Sequence, residues 1–199
     1  MAKIITADYN LDLEHPALDN MSDDEFFSFC VQNKNIRLER DENKQILIMP
    51  PAGNDSSAKN SILNFKLFLW NNESKCGIVF DSSAGFYLPD KSMRNPDAAW
   101  ISNAKWNSIG NDEKKKFAYL VPDFIIELMS PSDRLKPAKD KMEMWINNGV
   151  LLAWLIDPEN KTAYIYRINE TIEEVNGFDK KLSGEDILPG FELDLSILK

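Results

Sequence analysis

The sequence predicts a mixed α/β (α+β) fold, in which helices flank a central mixed β-sheet. Residues 150–157, VLLAWLID, form a continuous apolar run that is typical of a strand covered on both faces. Residues 161–168, KTAYIYRI, follow a DPEN turn and alternate as a second strand does. Helical segments separate other short strands along the chain. This order of elements indicates a single domain over residues 21–199, preceded by an N-terminal arm over residues 1–20.

The first elements of the predicted domain are a helix and a hairpin. Ser22 and Glu25 are the ends of a capping box, which predicts a helix that ends near residue 33. In NIRLERDENKQILIMPP a polar turn separates two apolar runs. The segment therefore predicts a hairpin with strands at residues 36–39 and 46–49.

A second helix is predicted over residues 58–72, with Ser56 or Ser57 as its N-cap. A wide apolar stripe indicates that this helix lies across a sheet. The stripe consists of Ile62, Phe65, Leu67, Phe68 and Leu69. Short strands are predicted at residues 77–81 and 85–88, and the DKSMRN segment that follows them is predicted to be a loop.

The second half of the chain supplies the strands and the helix of the candidate site. PDAAWIS predicts a strand entered through Pro96, and a short helix follows within residues 103–117. Residues 121–129, VPDFIIELM, predict a further strand. The next helix, over residues 135–148, ends at Gly149. ILPGFELDLSIL closes the chain.

The composition excludes several kinds of active site. The chain has a single histidine, His15, so HExxH zinc sites and multi-histidine iron sites are impossible. A Ser-His-Asp triad would have to recruit that one residue of the predicted arm. The GxSxG, GxxxxGK(S/T) and GxGxxG motifs are all absent. An enzyme of this composition would therefore depend on carboxylates and lysines.

Charge and cysteine content bear on partners and compartment. A net charge of −9 and a pI near 4.7 argue against a broad basic surface for nucleic acid, although residues 114–116 and 134–141 are locally basic. The two cysteines suit free thiols in a reducing compartment better than a disulfide framework. No apolar run approaches the roughly 20 residues of a membrane span, and the N-terminus does not resemble a signal peptide. We therefore expect a cytoplasmic protein with no membrane partner.

Glu127 is the most informative residue of the strand at 121–129, because an unpaired carboxylate costs several kcal/mol to bury. A metal ion, a salt bridge or exposure to solvent would each explain its presence. Asp123 lies on the same predicted face, but four residues at about 3.3 Å each place it roughly 13 Å away. Asp123 is therefore interpreted as a residue at the entry of the strand, not as a second ligand.

Asp97 is a better partner for Glu127, because the two predicted strands would lie about 4.8 Å apart if they pair. Adjacent carboxylates repel each other unless a divalent cation lies between them. Lys141, at the edge of the apolar stripe of the next helix, can direct its ammonium group to the same place. Glu39, at the end of the first hairpin strand, is a candidate fourth group. Such a set suits metal-dependent phosphodiester hydrolysis, although an acid in a strand and a lysine on a helix are more often salt-bridge partners.

Seven segments carry a resemblance to a known family. They are LER…IMPP, FDSSAGFYLP, NPDAAW, PDFIIELMSPSDRL, KMEMWINNGV, AWLIDP and LSGEDILPGFELDL. In this order, from about residue 20 to the C-terminus, they resemble the restriction endonuclease-like family of the PD-(D/E)XK nuclease superfamily. The resemblance implies a restriction endonuclease-like fold and a Mg²⁺- or Mn²⁺-dependent endonuclease that acts on DNA. It also implies a homodimer, because cutting both strands of DNA usually takes two sites.

The resemblance also assigns roles to residues of this chain. Asp97 would be the first metal-binding acid, Glu127 the second, and the carbonyl of Leu128 a further metal ligand. The superfamily pattern has a lysine two residues after the second acid, where this chain has Met129. Lys141 on the next helix would take over that role.

Glu39, in the LER segment, matches the acidic residue that the family carries near the start of the domain. The leading hypothesis is thus a metal-dependent endonuclease. A catalytically inert nuclease-fold module for binding or regulation is the chief alternative, favoured by the acidic pI and by the lack of an appended DNA-binding domain. A nuclease acting on RNA or on single strands would use the same residues.

Overall fold

The computed structural model describes residues 4–6, 21–168 and 171–199. The chain divides into two compact units. The first consists of Met1–Pro51, Ser83–Asn95 and Ile109–Leu120, and the second of Ala52–Ser82, Pro96–Ser108 and Val121–Lys199. Apart from one short strand, the predicted N-terminal arm and His15 lie outside the described residues.

The described residues form the following elements. The helices are α1 (Asp23–Gln32), α2 (Asn54–Ser74), α3 (Asn103–Trp106) and α4 (Leu135–Asn147), with 3₁₀ turns at Glu113–Lys115 and Leu195–Leu198. The strands are β1 (Ile4–Thr6), β2 (Arg37–Arg40), β3 (Ile46–Met49), β4 (Gly77–Asp81), β5 (Phe86–Tyr87), β6 (Met93–Arg94), β7 (Ala98–Ser102), β8 (Phe124–Leu128), β9 (Leu152–Asp157), β10 (Thr162–Arg167), β11 (Glu173–Asn176), β12 (Lys181–Ser183) and β13 (Glu192–Asp194).

The first unit is built on a sheet with the strand order β1-β3-β2-β6-β5. The predicted capping box is present, because the Ser22 side chain accepts from the Glu25 N–H and the Glu25 carboxylate accepts from the Ser22 N–H. The predicted hairpin is also present as the antiparallel pair β2–β3. The prediction that DKSMRN is a loop was wrong, since it contains β6, which pairs with β2 through Arg40 and Met93. A strand of two residues has no periodicity that a sequence could reveal.

Arg40 is a fully buried cation in the first unit. Its guanidinium forms an ion pair with Asp23 and lies 4.8 Å from the ring centroid of Phe26 and 5.6 Å from that of Tyr87. Burial alone would raise the pKa of Asp23, but hydrogen bonds from Tyr119 and Arg40 outweigh burial and hold that pKa below its ordinary value. The carboxylate of Asp23 thus compensates a cation that has no access to water.

The second unit contains a six-stranded mixed sheet with the strand order β11-β10-β9-β8-β7-β4. Its central strands β8 and β9 are parallel and are connected through α4, whereas the pairs β4–β7, β7–β8, β9–β10 and β10–β11 are antiparallel. Both β8 and β9 are buried along their whole length. The predicted central mixed sheet flanked by helices is therefore confirmed.

Helix α2 differs from its prediction in both its start and its buried face. It begins at Asn54, after an extended Gly53 that serves as its N-cap, so neither Ser56 nor Ser57 is the cap. Only Leu63 and Leu67 of its apolar residues are fully buried, against a core that includes Trp100, Phe124 and Trp154. Residues at i and i+4 share one face of a helix, so this pair faces the sheet.

Three other residues of the predicted stripe, Phe65, Phe68 and Leu69, are 59%, 56% and 42% exposed, whereas Ile62 is half-buried against the core. The prediction that the whole stripe lies across the sheet was therefore wrong. A helix turns by 100° per residue, which places Phe65 and Phe68 away from the face that carries Leu63 and Leu67. No helix in the described part of the chain is long and apolar enough to cross a membrane.

The pairing of Asp23 with buried Arg40 predicts a pH-dependent loss of stability in Asp23→Asn. Near neutral pH the variant should be less stable by about 1–3 kcal/mol, because it removes the charge opposite a buried cation. A carboxylate whose pKa is lowered by folding contributes stability above its ordinary pKa, near pH 4, and loses that contribution as the pH falls through the folded-state pKa. Urea unfolding across this range should therefore show the gap between wild type and variant closing in acid.

Asp24→Asn is the matched control, since Asp24 is an exposed neighbour that pairs with the exposed Lys116. Its loss should change stability by less than about 1 kcal/mol. Equal losses in the two variants, or a gap for Asp23→Asn that stays constant in acid, would contradict the assignment.

Candidate active site

Asp97 and Glu127 belong to neighbouring segments of the sheet, because the strand that follows Asp97 pairs with the strand that contains Glu127. Asp97 directly precedes β7, and β7 pairs antiparallel with β8, with Ala98 opposite Ile126. The Leu128 N–H donates to Asp97 Oδ2 at 2.9 Å. The carboxylate of Asp97 is thus bound to the backbone of the residue that follows Glu127.

Helix α2 holds Asp97 from a second direction. Asn60 Nδ2 donates to Asp97 Oδ1 at 3.2 Å, and Asn64 Nδ2 donates to the Asp97 carbonyl at 3.0 Å. The two amides are one helical turn apart, so they share a face of α2. Both carboxylate oxygens of Asp97 therefore accept a described hydrogen bond, and its main chain is fixed as well.

Glu127 is held by helix α4. Lys141 Nζ lies 2.8 Å from Glu127 Oε1, and the Trp145 indole N–H donates to the same oxygen at 2.9 Å. Glu127 is only 8% exposed, so exposure to solvent does not account for this acid. A buried charge is tolerated when it is paired and hydrogen-bonded, and Lys141 and Trp145 supply both conditions. Lys141 points toward Glu127, as the sequence predicted.

Asp123 has a different environment from the two candidate metal acids. It is buried at the entry of β8, where Lys105 Nζ lies 2.6 Å from its Oδ1 and the Ser102 N–H donates to its Oδ2 at 2.8 Å. Its carboxylate thus ties the end of β7 and helix α3 to the start of β8. This confirms its interpretation as a structural residue at the strand entry.

Glu39 belongs to the first unit, at the end of β2. Its buried carboxylate accepts from Arg94 Nη1 at 3.2 Å and from the Asn95 N–H at 3.1 Å. These contacts compensate its charge within that unit. A role of Glu39 in metal binding or water binding stays a prediction.

The donor set of the second unit fits Mg²⁺ or Mn²⁺. Asp97, Glu127 and the Leu128 carbonyl offer only oxygen, which these hard cations prefer. Among the described residues no three His, Cys, Asp or Glu side chains form a metal-binding group. Mg²⁺ does not require one, because it commonly binds one or two carboxylates together with water and substrate phosphate.

Met129 occupies the position at which the superfamily pattern has its lysine. Its side chain is buried, and its N–H donates to the Ile156 carbonyl at 2.8 Å. It therefore brings no charge to the acids. A cation that does pair with Glu127 is Lys141, which comes from α4.

Three supporting residues were not identified from the sequence. Trp145 was interpreted as a core residue, and it is one, but its indole N–H also binds Glu127. Its position four residues after Lys141, on the same helix face, was the available signal. Asn60 and Asn64 were not singled out at all, although two amides at i and i+4 beside buried leucines are an available signal for polar contacts at a sheet.

Two of three comparisons relate the chain to known proteins. The family model Uma2, described as "Putative restriction endonuclease", matches residues 23–196. Among solved structures, the chain is similar to a "putative nuclease belonging to DUF820" from Anabaena variabilis ATCC 29413, with a TM-score of 0.71 at 19% identity over 90% of this chain and 97% of that chain. At this identity the likeness bears on the fold alone, and it confirms the predicted fold. A search of curated proteins gives no match.

The contact between Trp145 and Glu127 predicts unequal effects of two tryptophan substitutions. Trp145→Phe should lower the free energy of unfolding by about 1.5–3 kcal/mol more than Trp154→Phe, because it removes a donor to a charged acceptor. Trp154 is the matched control, since it is also fully buried and its indole nitrogen has no hydrogen-bond partner among the described residues. Chemical denaturation measures both losses. Equal losses would mean that the indole–carboxylate bond contributes nothing.

Proposed function

The chain belongs to the Uma2 family of putative restriction endonucleases, and we propose that it is a metal-dependent endonuclease that hydrolyses phosphodiester bonds of DNA. The observation that carries the proposal is the ion pair of 2.8 Å between Lys141 and buried Glu127, one residue before the backbone N–H that binds Asp97. Two acids and a lysine from three separate elements thus converge at the end of β8. Arrangements of this type suit phosphodiester hydrolysis.

Asp97, Glu127 and the carbonyl of Leu128 would hold Mg²⁺ or Mn²⁺. When bound, such an ion lowers the pKa of a coordinated water and offsets the charge of the scissile phosphate. The chain contributes rigidity to this site. Asp97 is fixed by the Leu128 N–H and by Asn60, so its carboxylate needs little reordering to bind a cation.

Lys141 supplies the positive charge that Met129 does not. An ammonium group carries three donors, so Lys141 can contact Glu127 and still donate to the attacking water or to a phosphate oxygen. Its stem emerges from α4, and its side chain is one quarter exposed, which leaves its head accessible from solvent. Glu39 is proposed to support the water or the metal, as the resemblance implies.

DNA is the proposed substrate, and a homodimer in the cytoplasm is the proposed active form. The family description supports a nuclease and hence a nucleic acid partner. Cleavage of both strands takes two sites, which a pair of chains would provide. RNA and single strands would make the same contacts with the metal acids and are separate arms of the test.

An inert nuclease-fold module is the second candidate function, and one observation favours it. Lys141 and Glu127 already compensate each other's charge through a contact of 2.8 Å. An inert module that does not bind a metal would still need this ion pair to compensate buried Glu127 where β8 packs against α4. Metal binding therefore discriminates between the two candidates.

Substitution of the proposed site should abolish cleavage. Asp97→Ala and Lys141→Ala should each lower the rate by about 100-fold or more, because they remove a metal ligand and a donor at the reacting phosphate. The assay is nicking of supercoiled DNA with Mg²⁺, Mn²⁺ or a chelator, with single-stranded DNA and RNA as parallel substrates. Lys136→Ala is the matched control, since Lys136 is an exposed lysine of α4 that pairs with Asp140.

The comparison of variants also guards against contamination. Equal cleavage by wild type, Asp97→Ala and Lys141→Ala would sink the catalytic assignment. Cleavage in the presence of a chelator would contradict metal dependence alone.

Metal binding should respond to Glu127→Gln without any need for activity. Calorimetric titration with Mn²⁺ should show binding to wild type. The dissociation constant of the variant should be at least about tenfold higher, because a neutral amide is a poorer ligand for a hard cation. Glu192→Gln is the matched control and should bind Mn²⁺ like wild type, since Glu192 is an exposed acid that pairs with Lys181. Absence of binding to folded wild type would favour the inert module.

A further inference from the structure

Helix α2 has an outward face that its core contacts leave uncovered. Phe65, Phe68 and Leu69 lie on this face at spacings of i, i+3 and i+4 and are all more than two fifths exposed. We use the name α2 stripe for Ala58, Ser61, Phe65, Phe68, Leu69 and Asn72, which are exposed along this side of the helix. Scattered exposed apolar residues are ordinary, but a contiguous apolar group on one helix face marks an interaction surface.

The α2 stripe carries no charge. Every exposed residue of α2 from Ser57 to Asn72 is uncharged, and the two lysines in that span, Lys59 and Lys66, are half-buried. The whole chain is 28% charged and has a net charge of −9. Two copies of such a chain repel each other over most of their surface, and an uncharged stripe is where they can touch with the least repulsion.

The order of side chains along the stripe is self-complementary. Small residues, Ala58 and Ser61, precede Phe65, whereas bulky residues, Phe68 and Leu69, follow it. If two α2 helices pack antiparallel about a twofold axis at Phe65, positions at equal distances before and after Phe65 face each other. Small Ser61 of one helix then faces bulky Leu69 of the other, and Phe65 meets its own copy. Small Ala58 faces Asn72 in the same way.

We propose that the α2 stripe is the surface through which two copies of this chain associate as an antiparallel helix pair. A twofold interface uses the same patch on both copies and must be complementary to itself, which is the property of this stripe. The inference deepens the homodimer suggested above. The dimer surface rests on the exposed residues of α2, and sedimentation reports the association state of the chain, not DNA cleavage. A failure of this proposal is therefore distinguishable from a failure of the proposed activity.

The first test places a charge in the stripe. Sedimentation velocity of the full chain over a range of concentrations should show a monomer–dimer equilibrium. Phe68→Lys should weaken association by at least about 30-fold, because it removes a buried anchor twice per dimer and leaves two unpaired charges. Val31→Lys is the matched control, since Val31 is 58% exposed on α1, outside the stripe, and it should associate like wild type.

The second test probes the antiparallel geometry. In the proposed pair Ser61 of one copy faces Leu69 of the other, so Ser61→Glu should also weaken self-association. A mixture of Ser61→Glu and Leu69→Lys chains should associate at least about tenfold more tightly than either variant alone, because the heterodimer pairs the new acid with the new lysine and keeps one native contact between Ser61 and Leu69. A parallel pairing would not give this rescue.

Circular dichroism melting of each variant verifies that it is folded, as expected for substitutions at exposed positions. A wild-type chain that stays monomeric at all concentrations would overturn the proposal. So would a dimer that Phe68→Lys leaves intact, or a mixture of Ser61→Glu and Leu69→Lys chains that associates no better than its components.

Discussion

The burial of Glu127 is the constraint on which the candidate site depends. A carboxylate in the middle of a fully buried strand is stable only where a cation and a donor reach it. Lys141 and Trp145 meet this requirement from adjacent turns of α4, and both contact the same oxygen. The position of α4 on the sheet is therefore coupled to the charge of one residue in β8. The parallel connection from β8 through α4 to β9 is what brings the helix back over that residue.

The two candidate metal acids are supported by different helices. Asp97 takes its hydrogen bonds from α2 and from the backbone of β8, whereas Glu127 takes its contacts from α4. The sheet relates the two acids to each other, because the register between β7 and β8 fixes the position of Asp97 relative to Glu127 along the strands. A shift of α2 would thus disturb contacts of Asp97, and a shift of α4 would disturb contacts of Glu127. Substitution of Asn60 or Trp145 would therefore remove a hydrogen bond that one of the two acids accepts.

The sequence predicted the parts of the site that follow from long, regular patterns. The strands around Glu127 and Asp97 and the helix of Lys141 have continuous or periodic apolar residues, and their pairing follows from the strand order. What it missed depends on tertiary contacts. The N–H of Trp145 and the amides of Asn60 and Asn64 acquire their partners only once helices lie on the sheet. The Gly53 N-cap of α2 was missed because two serines offered a more conventional cap. Strand β6 was missed because two residues show no period.

The chain contains three Pro-Asp steps, at Pro89-Asp90, Pro96-Asp97 and Pro122-Asp123. The aspartates of the three steps have different environments in the structure. Asp90 accepts from the Ser92 N–H in a tight turn, Asp97 belongs to the candidate site, and Asp123 is an anchor bound to Lys105. A sequence alignment that relies on the Pro-Asp dipeptide could match any of the three steps. The step nearest Glu127 in sequence contains Asp123, which is the structural residue bound to Lys105. A genetic screen scored only by loss of function would not distinguish substitution of Asp97, where the proposed role is chemical, from substitution of Asp123, where the role is in folding. Protein abundance, recorded beside the phenotype, would separate them.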